Sequence, residues 1–469
     1  MTHAYRFAAG ALALTAALAL AGCGSWGWGN DPDDPAALPP APVYDEGQFD
    51  RIHRAEQVRR DAVATAGPWA AKDGAGRRIA VLLPAAGASP RLRDSLQAGL
   101  LTAAASADPA QRGALTFYAL EDYPDVAAAY RQAQAEGAQV IIGPLAADAV
   151  RQLARTQPLE VATIALNTAD WGWWQEPLLF QLALPLEDEG RAAAQQLYRA
   201  GYRRPFVVTE ASRVGERARD GFLAELARLA GARPVLIDAF APTPDGARAA
   251  AAAVAAARVV PPGPPPAPGV APLPVRAGDS VFLAGSRAGL AALAVALPAA
   301  GVHEVPLVAT SHANDPERPV NGLYVVDVPW MIDPQVPRTV FQRAGGPAWP
   351  ATLRDTAAYH SHGHTLDWAG RALKMDGVPS TTPGFPAAYR RADPRLFALA
   401  VDSYRLAQNI HWLARRPGRS LAGATGWLRL GPGGRIEREW MLGRLHDGQV
   451  APATLPPAPP VPLPAPPPR

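Results

Sequence analysis

Three histidines stand within YHSHGH at residues 359–364: His360, His362 and His364. Alternate positions on a strand share a face, and three imidazoles on one face could hold zinc or copper. The flanks RDTAAY and TLDWAGRALKMDG give no strand context, so the motif is read as an exposed loop of unliganded histidines. Carboxylates cluster at Glu187, Asp188 and Glu189. They follow Pro185 and Leu186, where a helix would begin, and negative charge there complements the helix dipole. That structural role is preferred to an acid/base pair. Gly22 to Gly27 spells G-x-G-x-x-G but follows no strand, as a nucleotide fingerprint would require. Walker A and G-x-S-x-G strings are absent. We therefore expect no catalytic residues, no metal ligands and no cofactor.

One residue does point to chemistry. Cys23 is the only cysteine in 469 residues, and it closes an apolar run from Phe7 to Leu20 that follows Arg6. Short positive start, apolar stretch and small-residue ending make 1–22 a signal peptide. Fourteen apolar residues would form a helix of roughly 21 Å, short of a bilayer core of about 30 Å. Leu20-Ala21-Gly22-Cys23 resembles the lipobox of bacterial lipoproteins, which implies that the Cys23 thiol carries lipid and tethers the chain to a membrane. Gly24 stands where an Asp would signal inner-membrane retention in enteric bacteria, so the resemblance implies the periplasmic side of the outer membrane. With one cysteine no intramolecular disulfide can form, and stability must come from a buried core.

Composition permits such a core, since 48% of residues are hydrophobic. Lys and Arg number 45 against 42 Asp and Glu, dispersed along the chain, so no basic footprint for nucleic acid is present. Residues 23–48, rich in Gly and Pro, read as a disordered tether and 49–76 as a helical lead-in. The end, 451–469, reads as a Pro-rich tail, and the proline run at 261–275 as an exposed loop.

Between these segments, short β-rich runs alternate with helical ones. RRIAVLLP (77–84), ALTFYAL (114–120), AQVIIGP (138–144) and VATIALN (161–167) are each followed or preceded by a helix pattern, and the alternation restarts after LLFQLALPLEDEGR (178–191). Apolar runs joined by helices are the βαβ signature of a parallel sheet. The expected fold is α/β with two doubly wound lobes over 77–450. Lobe 1 takes about 77–185 plus part of 331–415, and lobe 2 about 186–330 plus the C-terminal hairpin. Residues 333–392 read as irregular, and the extended segments near 167–187 and 310–330 as the hinges. Ligands of doubly wound sheets sit beyond the carboxyl ends of the strands. In lobe 1 those ends present Gly87, Ser89, Gly143, Pro144, Asn167 and Thr168; in lobe 2, Glu210, Ser212, Arg213, Ser311 and His312. Their mixed side chains, without an aromatic clamp, leave open a working cleft for an unknown small ligand or a vestigial one.

Local sequence carries a resemblance. IAVLLPAAG with LRDSLQAGLLTAA, VIIGPLAADAVRQLA and TGWLRLGPGGRIERE are similar to the first βα unit, the IGP strand end and the terminal G-x-T-G hairpin of type I periplasmic binding proteins. IALN, FQLALPLEDEGRAAAQQLYRAGYRRPFVV and LFALAVDSYRLAQNI resemble the LppC family of penicillin-binding-protein activator lipoproteins. That implies a non-enzymatic regulator that docks on a class A penicillin-binding protein, the bifunctional peptidoglycan synthase, and stimulates its transpeptidation. The alternative on the same fold is a solute-binding lipoprotein that delivers an amino-acid-like ligand to a transporter or receptor. Longer family members carry tetratricopeptide-like helices between anchor and binding-protein fold, where this chain has about fifty residues.

Overall fold

The computed structural model describes residues 76–85, 90–108, 111–156, 158–168, 176–258, 278–315, 320–337, 357–361, 364–367, 392–416 and 418–459. All fall in one compact unit, residues 40–469. The first lobe begins with β1 (Arg78–Leu83), α1 (Pro90–Ser106), β2 (Ala114–Ala119), α2 (Val126–Ala135), β3 (Val140–Ile142), α3 (Ala147–Thr156), β4 (Ala162–Ala165) and β5 (Leu179–Gln181). β1 sits between β2 and β3 in parallel register, Ile79 opposite both Leu115 and Val140. Every residue of β1 after Arg78 is buried. A run apolar on both faces has helices on both sides to bury it, which is why this strand is central.

The second lobe repeats the plan with α4 (Leu186–Arg199), β6 (Arg204–Thr209), α5 (Arg213–Arg228), β7 (Val235–Leu236), α6 (Pro244–Arg258), β8 (Asp279–Ala284), α7 (Arg287–Ala299), β9 (Leu307–Ala309) and β10 (Tyr324–Asp327). Its central strand β8 pairs in parallel with β6 and β9 and is buried throughout. Helices α4 and α5 pack backbone to backbone: a Cβ on Gly190 would lie 2.0 Å from the Ala218 carbonyl oxygen, and one on Gly221 2.1 Å from that of Glu187. Only glycine permits this approach.

The chain then returns through α8 (Pro329–Ile332), β11 (Ala357–Ser361), β12 (His364–Asp367), α9 (Pro394–Ala414), β13 (Ser420–Ala422), β14 (Trp427–Leu430) and β15 (Ile436–Arg438), before β16 (Met441–His446) and β17 (Gln449–Pro452). The lobe 1 sheet runs β12-β11-β2-β1-β3-β4-β5, the lobe 2 sheet β17-β16-β10-β9-β8-β6-β7, and β13-β14-β15 form a small third sheet. Helix α9 belongs to lobe 1. Its Phe397, Val401, Leu406 and Ile410 are buried in that lobe's core, and it meets α1 at Gly99, where a Cβ would lie 2.4 Å from the Phe397 carbonyl oxygen.

Four expectations are corrected. The histidine motif is not a loop: His360 lies on β11 and His364 on β12, in a hairpin that extends the lobe 1 sheet by parallel pairing of β11 with β2. Its partner strand lies more than two hundred residues earlier, a pairing local pattern cannot announce; His362 falls outside the described residues. The terminal β pair is two units. Ala424 of the loop between β13 and β14, with Leu428 and Ile436 of the third sheet, packs into the lobe 1 core, while β16 pairs antiparallel with β10 in lobe 2. The tail is folded over its first part: β17 pairs with β16, Leu455 is buried, the Ala458 N–H donates to the Ala200 carbonyl (2.7 Å) and the Tyr202 hydroxyl to that of Pro456 (3.1 Å). The crossovers lie at 182–185, at Val328 and at 439–440, so most of 310–330 is lobe 2 itself and a third connection joins the two.

Candidate functional site

Among the described residues, most of the strand-end positions expected to line the cleft are already hydrogen-bonded within the chain. In lobe 1, Gly143 follows β3 with φ +99° and is buried, its N–H donating to Ile164 (2.8 Å). A Cβ there would stand 2.6 Å from the Leu82 carbonyl oxygen, so glycine is required by space and by conformation. Pro144 is buried and its carbonyl accepts from the Leu166 N–H (3.0 Å). Asn167 donates to the Leu145 carbonyl (3.0 Å) and accepts from the Thr168 N–H (2.9 Å), which closes the turn after β4. Gly87, Ser89 and Cys23 lie outside the described residues.

In lobe 2, Ser212 is the N-cap of α5, its hydroxyl accepting from the Gly215 N–H (3.3 Å), and Arg213 beside it is exposed. Glu210 is buried at the end of β6 and accepts from both the N–H (2.8 Å) and the hydroxyl (2.5 Å) of Ser286 at the start of α7. Ser311 is buried, and its N–H (2.8 Å) and hydroxyl (2.9 Å) both donate to Glu189 of α4. Helix starts and strand ends offer free N–H groups to anionic ligands. Here the chain's own carboxylates take these donors. Burial, then the neighbouring Asp327 charge, pushes the Glu189 carboxyl up to about 8, against the opposing Ser311 bonds and Arg395. His312 is half-buried, its Nδ1 without a hydrogen-bond partner among the described residues, and burial followed by the Arg395 charge lowers its pKa.

Two clusters that sequence reasoning missed lie at the crossovers. In the first, Arg395 of α9 reaches out of lobe 1 to the carboxylate of Asp327, the last residue of β10, at 3.0 Å through Nε and 2.5 Å through Nη2, and to the carbonyls of Ser311 (2.9 Å) and Asn314 (2.8 Å). Asn314 Nδ2 donates to the same carboxylate at 3.0 Å. In the second, Asp402, fully buried on α9, accepts from the N–H groups of Ala424 (2.6 Å) and Thr425 (2.7 Å) and from the Thr425 hydroxyl (2.5 Å). The Ala424 carbonyl takes the Trp330 N–H (3.0 Å). Arg438 donates to the Thr425 hydroxyl oxygen and to the Ala183 carbonyl (2.6 Å). One chain of bonds thus runs from α9 to Ala183 in the first crossover and to Trp330 and Arg438, which flank the other two. The available signal was a lone aspartate in the apolar run LFALAVDSYRL and the tight string GATG.

Among the described residues no group of three His, Cys, Asp or Glu side chains converges as metal ligands would, and no helix is long and apolar enough to cross a membrane. Two doubly wound parallel lobes, joined by three crossovers and completed by a returning helix, define the architecture of type I periplasmic binding proteins. The chain belongs to the LppC family: the family described as "LppC putative lipoprotein" matches residues 74–342. It is similar to the "Penicillin-binding protein activator LpoA" of Erwinia tasmaniensis, 25% identical in an alignment 343 residues long that covers 69% of this chain and 46% of that protein. The chain spans about half the length of the curated relatives it matches. Among solved structures it resembles the C-domain of LpoA (YraM) from Haemophilus influenzae, described as a regulator of PBP1A, with 19% identity, 80% of this chain and 100% of that chain covered, and a TM-score of 0.56. It also resembles a "putative branched-chain amino acid ABC transporter" structure from Chromobacterium violaceum, with 26% identity, 79% and 100% coverage and a TM-score of 0.51.

Proposed function

We propose that this protein is a lipid-anchored, non-enzymatic regulator that binds a class A penicillin-binding protein and raises its peptide cross-linking. The observation that carries the reading is LppC membership over residues 74–342, in a family whose curated relatives are named as penicillin-binding protein activators. The cleft geometry supports it, since two donors at the lobe 2 strand ends and helix starts, those of Ser311 and Ser286, are taken by Glu189 and Glu210. Anchoring rests on Cys23 at the end of the apolar run, and Gly24 after it favours the periplasmic face of the outer membrane. The tether of residues 24–48, at about 3.3 Å per residue, reaches roughly 80 Å when extended. Tethering raises effective concentration, so a modest intrinsic affinity suffices.

The solute-binding reading has one observation in its favour, the likeness to the transporter structure. Titration distinguishes the two. The chain carrying Cys23→Ser should bind a purified class A synthase of its own cell with micromolar-scale affinity, and show no heat with amino acids, peptides or muropeptides. Heat with one of those solutes and none with any such synthase would replace the regulator reading with the solute-binding one.

A further inference from the structure

We infer that Arg395 is a built-in occupant of the interlobe cleft: a guanidinium from lobe 1 fills the acceptor set at the ends of β9 and β10 and holds the two lobes in one orientation. The acceptors are the two Asp327 carboxylate oxygens and the Ser311 and Asn314 carbonyls, all from lobe 2, and Arg395 meets each of them within 3.0 Å. Asp327 is wholly buried in this arrangement, and its remaining donors, Asn314 Nδ2 (3.0 Å) and the Val328 N–H (2.8 Å), carry no charge to replace the guanidinium. A planar guanidinium matches a carboxylate in a fixed fork, which fixes direction as well as distance. The base of Arg395 is itself held, because the first turn of α9 is capped by Asp393, whose carboxylate accepts from the Arg395 and Leu396 N–H groups (3.0 Å each) and whose N–H donates to Ser95 of α1 (2.7 Å). The clamp therefore joins the lobe 1 helix layer to the ends of two lobe 2 strands.

The same acceptors are what a solute amine or guanidinium would require. A ligand of that chemistry must displace Arg395, and an anionic one finds the Ser311 and Ser286 donors of lobe 2 already occupied by Glu189 and Glu210. A cleft so filled gains nothing from closing, since a ligand shifts a conformational equilibrium only through differential affinity for the two states. The inference deepens the regulator reading by placing partner contact on outer surfaces, and its test involves no synthase, so either can fail without the other.

The test is an interlobe distance. Cys23→Ser leaves the chain free of cysteine. Asp148→Cys at the start of α3 and Asp245→Cys at the start of α6 then place one spin label on each lobe at exposed positions. The expected result is one narrow distance distribution, unchanged by amino acids or muropeptides. Arg395→Ala should broaden it, and millimolar guanidinium ion should narrow it again where sodium chloride at equal ionic strength does not. A broad or two-peaked distribution in the Arg395 protein, a shift on adding solute, or an Arg395→Ala distribution as narrow as the parent's would overturn the inference. If the alanine variant does not fold, the parent distribution alone decides.

Discussion

Removing the Asp402 carboxylate should strand two buried backbone donors and cost lobe 1 a large share of its stability. The group is fully buried, and three donors converge on it: two backbone N–H groups that the 423–426 loop cannot redirect and one hydroxyl that can rotate. Each donor left buried without an acceptor costs about 1–3 kcal/mol. The Thr425 hydroxyl can turn elsewhere, so the two stranded N–H groups of Asp402→Ala should lose roughly 2–6 kcal/mol, against a total stability of order 5–15 kcal/mol for a folded domain. Asp402→Asn keeps one acceptor oxygen but turns an amide N–H₂ toward a donor, at a cost of about 1–3 kcal/mol. Urea unfolding followed by far-UV circular dichroism measures both, with the slope checked for constancy. A shift within about 1 kcal/mol of the parent for the alanine variant, or a larger loss for asparagine than for alanine, would refute the claim that this carboxylate organises the loop.

Three further outcomes are expected. Glu189 binds its proton more tightly folded than unfolded, because burial and Asp327 raise its pKa to about 8; its contribution is therefore greatest below about 4.5 and is lost as pH rises through about 8. Urea midpoints should fall between pH 5 and 8.5 in the parent and change less in Glu189→Gln, and parallel profiles would contradict this. Gly190→Ala sets a methyl 2.0 Å from the Ala218 carbonyl and should destabilise lobe 2 by roughly 2–3 kcal/mol or more, whereas an unchanged melting temperature would show that α4 and α5 can separate freely. Cys23→Ser should leave the membrane fraction and lose fatty-acid labelling, and equal labelling of both proteins would exclude the lipid anchor.

Much of the architecture was legible because its information is local. β1, β2, β3 and β4 are short apolar runs beside helices with polar stripes, and a parallel sheet buried on both faces leaves that trace in any window. The β11–β12 hairpin leaves none. Its Ala, Tyr, His and Thr residues are ordinary for a loop, and its strand character comes from β2, far away in sequence. The strap at 453–459 was hidden in the same way, since a Pro-rich composition reads as solvated unless a distant carbonyl such as that of Ala200 is known to lie beside it. At the cleft, position on the strand ends was readable and occupancy was not. Glu189 looks like one of three acids in a first turn until Ser311, 122 residues on, is seen to donate to it twice. Arg395 likewise reads as one arginine among many in a lysine-poor chain, and only folding brings Asp327 to it.

The central claim is that the outer surface of this two-lobed protein stimulates a cell-wall synthase while the cleft stays unused. The most direct measurement is the cross-linked fraction of peptidoglycan made by a purified class A penicillin-binding protein of the same cell, alone, with the Cys23→Ser chain, and with that chain also carrying Arg395→Lys. Both forms of the chain should raise the cross-linked fraction to a similar extent, with no added solute. No rise with either form for any such synthase, or a rise that depends on a small molecule in the cleft, would contradict it.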